Sequence, residues 1–371
     1  MSAASGSGAG SEPGSKVRSG SGSDPAPGGR LRIATYNVEW FDALFDDAGR
    51  MHDDARAGGR HGIDRATQTA ALGRVFAALD ADAVLVVEAP DTGTKRSTIT
   101  ALENFATRFD LRARACLMGF ANDTQQELAL LYDPDRLTPR HAPQESDGAP
   151  RFDGSYRIDL DIDATLDHVR FSKPPLEVAL HLRGAEVPLL HLIGVHVKSK
   201  APHGARSEAD VTRLAIANRR KQLAQCIWLR HRVEAHLAQG TPLVVLGDFN
   251  DGPGLDDYEA LFGRSGLEIV LGHDAPPDAR LYDPHARRAL AGAGRPTQAQ
   301  PTSARFWIAP EERYLSALLD YIMVSPDLAA RQPRWRIWHP FDAPEIYRDA
   351  ALREALLAAS DHFPVTLDLP L

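Results

Sequence analysis

Beyond residue 30 the chain alternates short apolar runs with stretches of helical spacing. Leu31 to Val38, Ala83 to Val87, Glu127 to Tyr132, Leu176 to Leu182 and Leu189 to Val197 are apolar runs of strand length. Pro242 to Leu246, Leu319 to Val324 and Val365 to Leu369 are three more, and each run predicts a buried strand, with the Ala83 to Val87 strand ending on Glu88. Leu72, Val75, Phe76 and Leu79 fall at i, i+3, i+4 and i+7, the stripe of an amphipathic helix. A long helix is expected from Arg206 to about Leu237, with Leu223, Cys226, Ile227, Val233 and Leu237 near one face. Polar loops are expected from Asp42 to Asp64, from Pro134 to Ser155 and from His273 to Pro310. The last exceeds a usual structureless connection, which predicts internal order or a functional lid. Strands outnumber helices and no linker interrupts residues 31–371, so the pattern predicts one α/β domain with a strand-rich core.

Residues 1–30 differ. They are almost all Ser, Gly, Ala and Pro and offer nothing to offset the entropy of ordering, so a disordered tail is expected. They also lack the apolar segment of a secretory signal, and no later run reaches the length of a membrane span. With only Cys116 and Cys226, too few for a disulfide framework, a reducing cytoplasmic setting is expected. The formal charge of −8 argues against a protein that grips long nucleic acid by its phosphates alone. A polyanionic substrate has to be met locally, or be small.

The chemistry concentrates where apolar runs stop. The run TPLVVLGDFNDGPG breaks from a core strand into Gly247, Asp248, Phe249 and Asn250. Asn37 lies in the first strand, Glu88 ends the second and His196 sits in LIGVHVKSK. Asp320 opens LDYIMVS, and Asp361 and His362 precede the last strand. Singly, each has an ordinary explanation as a turn former or a satisfied core residue. Gathered, they would make an anionic pocket that needs a cation or a shared proton to persist. Oxygen ligands from Glu, Asp and Asn favour a hard ion, Mg²⁺ or Mn²⁺, which leaves the histidines for proton transfer or phosphate contacts. In an extended chain, period two would send Asp248 and Asn250 to one side, and Gly247 would admit a close backbone approach.

In this order the segments TYNVEWFD, DAVLVVEAPD, VHVKSK, LVVLGDFNDGPG, LDYIMVSPD and SDHFPV resemble the endonuclease/exonuclease/phosphatase superfamily. TYNVEWFD and HVKSK look most like its deoxyribonuclease-like, bacterial predicted-nuclease branch. The resemblance covers residues 31 to 370 and implies a four-layer α/β sandwich, two mixed β-sheets face to face with helices outside. It implies Glu88 as the metal-binding glutamate, Asn37 beside it, and Asp361 completing the metal or phosphate shell. Asp248 matches the aspartate that deprotonates the attacking water, and Asn250 the amide that holds water or phosphate. His362 would contact the phosphoryl oxygen with Asp320 orienting it, and His196 would protonate the leaving oxygen. Val87 and Val195 depart from the Gln and Asn common there, which bears on substrate preference more than on the reaction.

The expected activity is therefore metal-dependent hydrolysis of a phosphate ester, most simply a phosphodiester of nucleic acid or nucleotide. Phosphomonoesters and lipid or inositol phosphates are the alternatives on the same site, and a catalytically silent binding module is the alternative of another class. No obligate protein partner is readable. Lys198 and Lys200 stand near enough to His196 to touch substrate phosphate. His203, Arg206, Arg213, Arg219, Arg220 and Lys221 read instead as a solvated loop and helix face. Phe306 and Trp307 lie in the long loop and could stack on a base if it overhangs the site; Trp40, Phe41, Trp335 and Trp338 read first as core or loop anchors.

Overall fold

The structure, a computed structural model, describes residues 29–122, 124, 126–159, 167–202, 204–252, 263–292, 300–308 and 312–371. The expected tail lies outside them except for Gly29 and Arg30. The first part contains β1 (Arg30–Asn37), α1 (Arg65–Leu79), β2 (Ala83–Pro90), α2 (Thr98–Arg108), β3 (Ala115–Met118) and β4 (Gln126–Tyr132). Then come β5 (Leu137–His141), β6 (Tyr156–Ile158), β7 (Asp167–Val169), β8 (Leu176–Leu182), β9 (Leu190–His196), the long helix α3 (Glu208–Ala238) and β10 (Leu243–Asp248). The last part holds α4 (Gly266–Leu271), α5 (Pro284–Gly292), β11 (Ala304–Ile308), β12 (Arg313–Ala317) and β13 (Asp320–Val324). It closes with α6 (Pro326–Ala330), β14 (Arg334–Ile337), α7 (Pro344–Arg348), α8 (Ala350–Ala359) and β15 (Val365–Pro370).

Two mixed sheets carry the fold. One has the order β14-β15-β1-β2-β4-β3, with β1 parallel to β2 and antiparallel to β15. The other has the order β13-β10-β9-β8-β5, with β10 parallel to β9 and antiparallel to β13. Period two decides what lies between them. Leu31, Ile33, Leu85, Val87, Leu128 and Leu130 of the first sheet share one buried cluster with Leu190, Leu192, Val244, Leu246, Ile322 and Val324 of the second. The alternate residues face outward. Tyr36, Val84 and Val86 cluster with Leu72, Val75 and Phe76 of α1 and Leu356 of α8, while Ile193, Val245 and Met323 cluster with Cys226, Leu229 and Val233 of α3. Helices, sheet, sheet and helices make the expected four-layer sandwich. No helix among the described residues is long and apolar enough to cross a membrane.

One loop expectation gives way, and the stretch expected to hold internal order or a lid contains order. The stretch from Pro134 to Ser155 contains β5, the outer strand of the second sheet. Pro139 hides it, because a proline argues against a strand yet is tolerated on an edge. The stretch from His273 to Pro310 contains α5 and β11; residues 293–299 and 309–310 lie outside the described set.

Candidate active site

The alternation that fills the inter-sheet core runs on to the strand ends and there changes chemistry. On β1 the inward series Leu31, Ile33 and Thr35 ends in Asn37; on β9, Leu190, Leu192 and Gly194 end in His196. On β10, Val244 and Leu246 end in Asp248, which stands opposite Asp320 at the start of antiparallel β13. On β4 the inward Leu130 and Leu128 lead back to Gln126. The strands thus deliver polar side chains to one mouth of the sandwich. A cavity of about 680 Å³ opens there, lined by Asn37, Glu88, Gln126, Lys173, His196, Asp248, Asn250, Asp361 and His362 among others. Glycine lets the backbones close up beneath it: a Cβ on Gly247 (φ 136°) would lie 2.0 Å from the Val195 carbonyl oxygen.

Glu88 and Asn250 arrive differently from the expectation. Glu88 does not end its strand. β2 continues to Pro90, and Glu88 (φ 62°) is the extra residue of a bulge between Val87 and Ala89, which turns its side chain toward the pocket. Asn250 does not share a side with Asp248 by strand alternation, because the strand ends at Asp248 and Asn250 is left-handed (φ 49°). The turn instead folds Asn250 back onto the aspartate. Its backbone N–H donates to Asp248 Oδ1 at 2.7 Å, and its Nδ2 donates to Asp248 Oδ2 at 3.1 Å and to the Val197 carbonyl at 3.1 Å.

Asp248 is buried and also accepts from Asn37 Nδ2 at 3.0 Å. Burial pushes its carboxyl up to about 7; Asp320 and Glu88 add to the rise, while His362 and the Asn250 N–H oppose it. His362 Nδ1 lies 2.8 Å from Asp320 Oδ2, which accepts a second hydrogen bond from Ser303 Oγ at 2.8 Å. Burial alone would lower the His362 imidazole, but Asp320, Asp248 and Asp361 outweigh it and hold the ring charged, well above the usual range. Nδ1–H then donates to Asp320, and the opposite edge of the ring is left for the pocket.

Beside this pair lies a group that the strand pattern did not reveal. Glu88 Oε2 accepts from Gln126 Nε2 at 2.5 Å and from the Trp40 N–H at 3.4 Å. Gln126 Oε1 accepts from Lys173 Nζ, which lies 3.1 Å from His196 Nδ1. His196 Nε2 stands 3.6 Å from Asp248 Oδ2 and 3.9 Å from Glu88 Oε1. Burial lowers the His196 imidazole well below its usual value, and Lys173, His362 and Lys198 lower it further. Glu39 also lines the pocket, paired with Arg60, and its carboxyl is pushed up to about 7 by burial and by Asp361. Gln126 could have been found by carrying the β4 alternation one step further. Lys173 precedes β8 in a stretch with no period, and nothing in the sequence marked it.

The structure separates the basic cluster. Lys198 lines the pocket, whereas Lys200 Nζ lies 2.7 Å from Asp251 Oδ1. Arg219, expected on a solvated face, is fully buried and donates to the same oxygen at 2.8 Å. Arg213 and Arg220 pair with Asp210 and Asp167, and His203 lies outside the described residues. Among the described residues of the His273–Pro310 stretch, Phe306, Trp307 and Ile308 of β11 wall the cavity, with Trp40 also in its lining. β11 is tied to the site by the Arg305 N–H to Asp361 carbonyl bond (2.7 Å) and by Ser303 under Asp320.

The sequence model of the endonuclease/exonuclease/phosphatase family matches residues 34–362. The chain belongs to this family. Membership supports an activity of phosphoesterase or nuclease type. Similar solved structures include an AP endonuclease from Archaeoglobus fulgidus, 12% identical, with a TM-score of 0.47 over 91% of this chain and 98% of that one. Truncated TDP2 from Caenorhabditis elegans is 14% identical, with a TM-score of 0.46 over 92% of this chain and 98% of that one. An endonuclease/exonuclease/phosphatase family protein from Bacteroides thetaiotaomicron is 14% identical, with a TM-score of 0.45 over 92% and 95%. No curated protein sequence matches the chain.

Members of the endonuclease/exonuclease/phosphatase family are generally dependent on a divalent metal, and the donor set here fits a hard one. Among the described residues Asn37 Oδ1 is buried without a hydrogen-bond partner, and Glu88 Oε2 takes the donors from Gln126 and Trp40, leaving Oε1 toward the cavity's other groups. Among the described residues no group of three or more His, Cys, Asp or Glu is placed to hold a metal ion on its own.

Proposed function

We propose that residues 31–371 form one catalytic domain, a divalent-metal-dependent phosphoesterase that hydrolyses a phosphodiester of nucleic acid or nucleotide. The observation that carries this reading is Asp248. It is a buried carboxylate with N–H donors on both oxygens, poised at about 7 beside the charged His362–Asp320 pair. A base near 7 is matched to taking a proton from water at neutral pH.

In this reading Asp248 and Asn250 hold the attacking water, and Asp248 takes its proton as the water oxygen bonds to phosphorus. His362, oriented by Asp320, donates to a phosphoryl oxygen and offsets the charge that grows while the bond to the leaving oxygen breaks. His196 flanks Asp248 on the side where the leaving oxygen can accept a hydrogen bond from it. Asn37, Glu88 and Asp361 would hold Mg²⁺ or Mn²⁺, which supplies further neutralisation of the phosphoryl oxygens when bound. Lys198 is the lysine free to reach substrate phosphate, since Lys200 is engaged by Asp251. Trp40, Phe306 and Trp307 give the pocket ring faces on which a base can stack, which favours a nucleotide or nucleic acid over lipid or inositol phosphates.

The test is hydrolysis of a chromogenic phosphodiester and its matched monoester with Mg²⁺ or Mn²⁺, against EDTA and Asp248→Ala. The expected result is metal-dependent turnover, faster on the diester and lost in the variant. Faster turnover of the monoester would select the phosphomonoesterase alternative. If neither ester, plasmid DNA, RNA nor inositol phosphates were hydrolysed, the catalytic reading would be abandoned for a silent binding module.

A further inference from the structure

With Glu88 ionised and Lys173 charged, the polarity of the hydrogen bonds beside Asp248 can be followed from one end to the other. A carboxylate only accepts, so Gln126 presents Nε2 to Glu88 Oε2, as the 2.5 Å contact has it. The other end of the same amide, Oε1, is an acceptor and faces Lys173 Nζ. An ammonium has three donors and no acceptor, so Lys173 donates to Gln126 Oε1 and also to the ring nitrogen 3.1 Å away, His196 Nδ1. A neutral imidazole that accepts at Nδ1 carries its proton at Nε2.

Nε2 is the edge that looks into the cavity. Its neighbours, Asp248 Oδ2 at 3.6 Å and Glu88 Oε1 at 3.9 Å, lie beyond hydrogen-bond length, so the N–H is not consumed by either. The ring itself is buried at the end of β9.

We propose that Lys173, oriented by Gln126, is a positioning residue that locks His196 in the neutral Nε2–H tautomer, so that His196 serves the reaction as a fixed hydrogen-bond donor and not as a proton source. The inference rests on the hydrolase reading for its kinetic consequence but not for its structural one. It departs from the role that the resemblance implies for His196. A neutral ring that keeps its Nε2 proton hydrogen-bonds to a leaving oxygen that departs as an anion and takes its proton from solvent water, and the positive charge next to the ring resides on Lys173.

The experiment is imidazole ¹⁵N NMR on the full chain labelled at histidine, with the His196 signal identified by its loss in His196→Gln. In the wild type Nδ1 is expected unprotonated and Nε2 protonated. Lys173→Met should shift the ring to the other tautomer or to a mixture, and Lys173→Arg, which keeps a donor, should retain the wild-type pattern. On whichever ester is turned over, Lys173→Met should lower kcat about tenfold and leave KM within about twofold, the mark of an interaction made in the transition state. A wild-type ring protonated at Nδ1 would overturn the proposal, even if Lys173→Met failed to fold. A tautomer unchanged in folded Lys173→Met would overturn it as well. The spectrum needs no turnover, so failure of the hydrolase reading and failure of this one are separately visible.

Discussion

The two ends of β1 and β2 both gather buried carboxylates and treat them in opposite ways. At the start of β2, Asp82 accepts from the Arg32 N–H at 2.7 Å and from the guanidinium groups of Arg112 and Arg136. Its neighbour Asp133 accepts from Arg112 at 2.9 Å. At the far end, Glu88, Asp248, Asp320 and Asp361 gather around one cavity with amides, imidazoles and Lys173 for company; among the described residues no guanidinium is bonded to these four, although Glu39 in the same lining pairs with Arg60. The difference is instructive. Where the chain supplies matched counter-charge, a buried acid is structural; where acids that outnumber the charges of His362 and Lys173 face one another across a cavity, the remaining balance has to come from a bound proton, an ion or a ligand.

The largest expected effect is at the unmatched end. Asp248→Asn should lower turnover by about 10³-fold or more, on the order of 4 kcal/mol. The same change should stabilise the metal-free protein, and the sign follows from the raised carboxyl. Asp248 sits at about 7 in the folded chain against a usual 3.8. Its contribution to stability is therefore fully present below the unfolded value and lost as pH rises through about 7. Thermal unfolding in EDTA should show the variant drawing ahead of the wild type as pH climbs from 4 to 8, with Mg²⁺ closing part of the gap. A variant that is less stable than the wild type at pH 8 in EDTA would show that Asp248 is matched after all, and the contrast between the two ends would break.

Asp82→Asn probes the other end and should do the reverse. Removing that charge leaves Arg136 with a neutral partner and Arg112 with Asp80 and Asp133; both arginines are partly exposed, so the cost is about 2 kcal/mol rather than the larger figure for a fully buried pair. Denaturant unfolding measures it. KM and kcat should stay at wild-type values, because Asp82 precedes β2 while the pocket lies past its other end. A selective loss of kcat would mean that the two ends are coupled.

Much of this contrast was legible in the chain, because period two is blind to chemistry. The same spacing that places Ile33, Leu192, Leu246 and Ile322 in the core places Asn37, His196, Asp248 and Asp320 at its mouth. What escaped was what breaks the period. The bulge at Glu88 and the left-handed turn at Asn250 depend on backbone conformations that non-glycine residues seldom adopt, and the residue types do not announce them. Lys173 precedes its strand in an aperiodic stretch and acquires meaning only from what it touches. The burial of Arg219 is hidden in the sequence for a related reason. On a helix rich in charge, only the partner Asp251, far along the chain, tells a buried cation from a solvated one.

The smallest effect separates two lysines two residues apart. Lys198 lines the cavity, and Lys200 is bound to buried Asp251 together with Arg219. Lys198→Ala should raise KM about tenfold, about 1.4 kcal/mol, and leave Tm unchanged, since removing one phosphate contact weakens ground state and transition state alike. Lys200→Ala should leave KM within about twofold and lower Tm, because Asp251 then keeps only part of its counter-charge. Steady-state kinetics and thermal unfolding on the two variants decide the matter together. If Lys200→Ala instead raised KM and spared Tm, its bond to Asp251 would be one that substrate displaces. The boundary between matched and unmatched charge would then have to move outward to include Asp251.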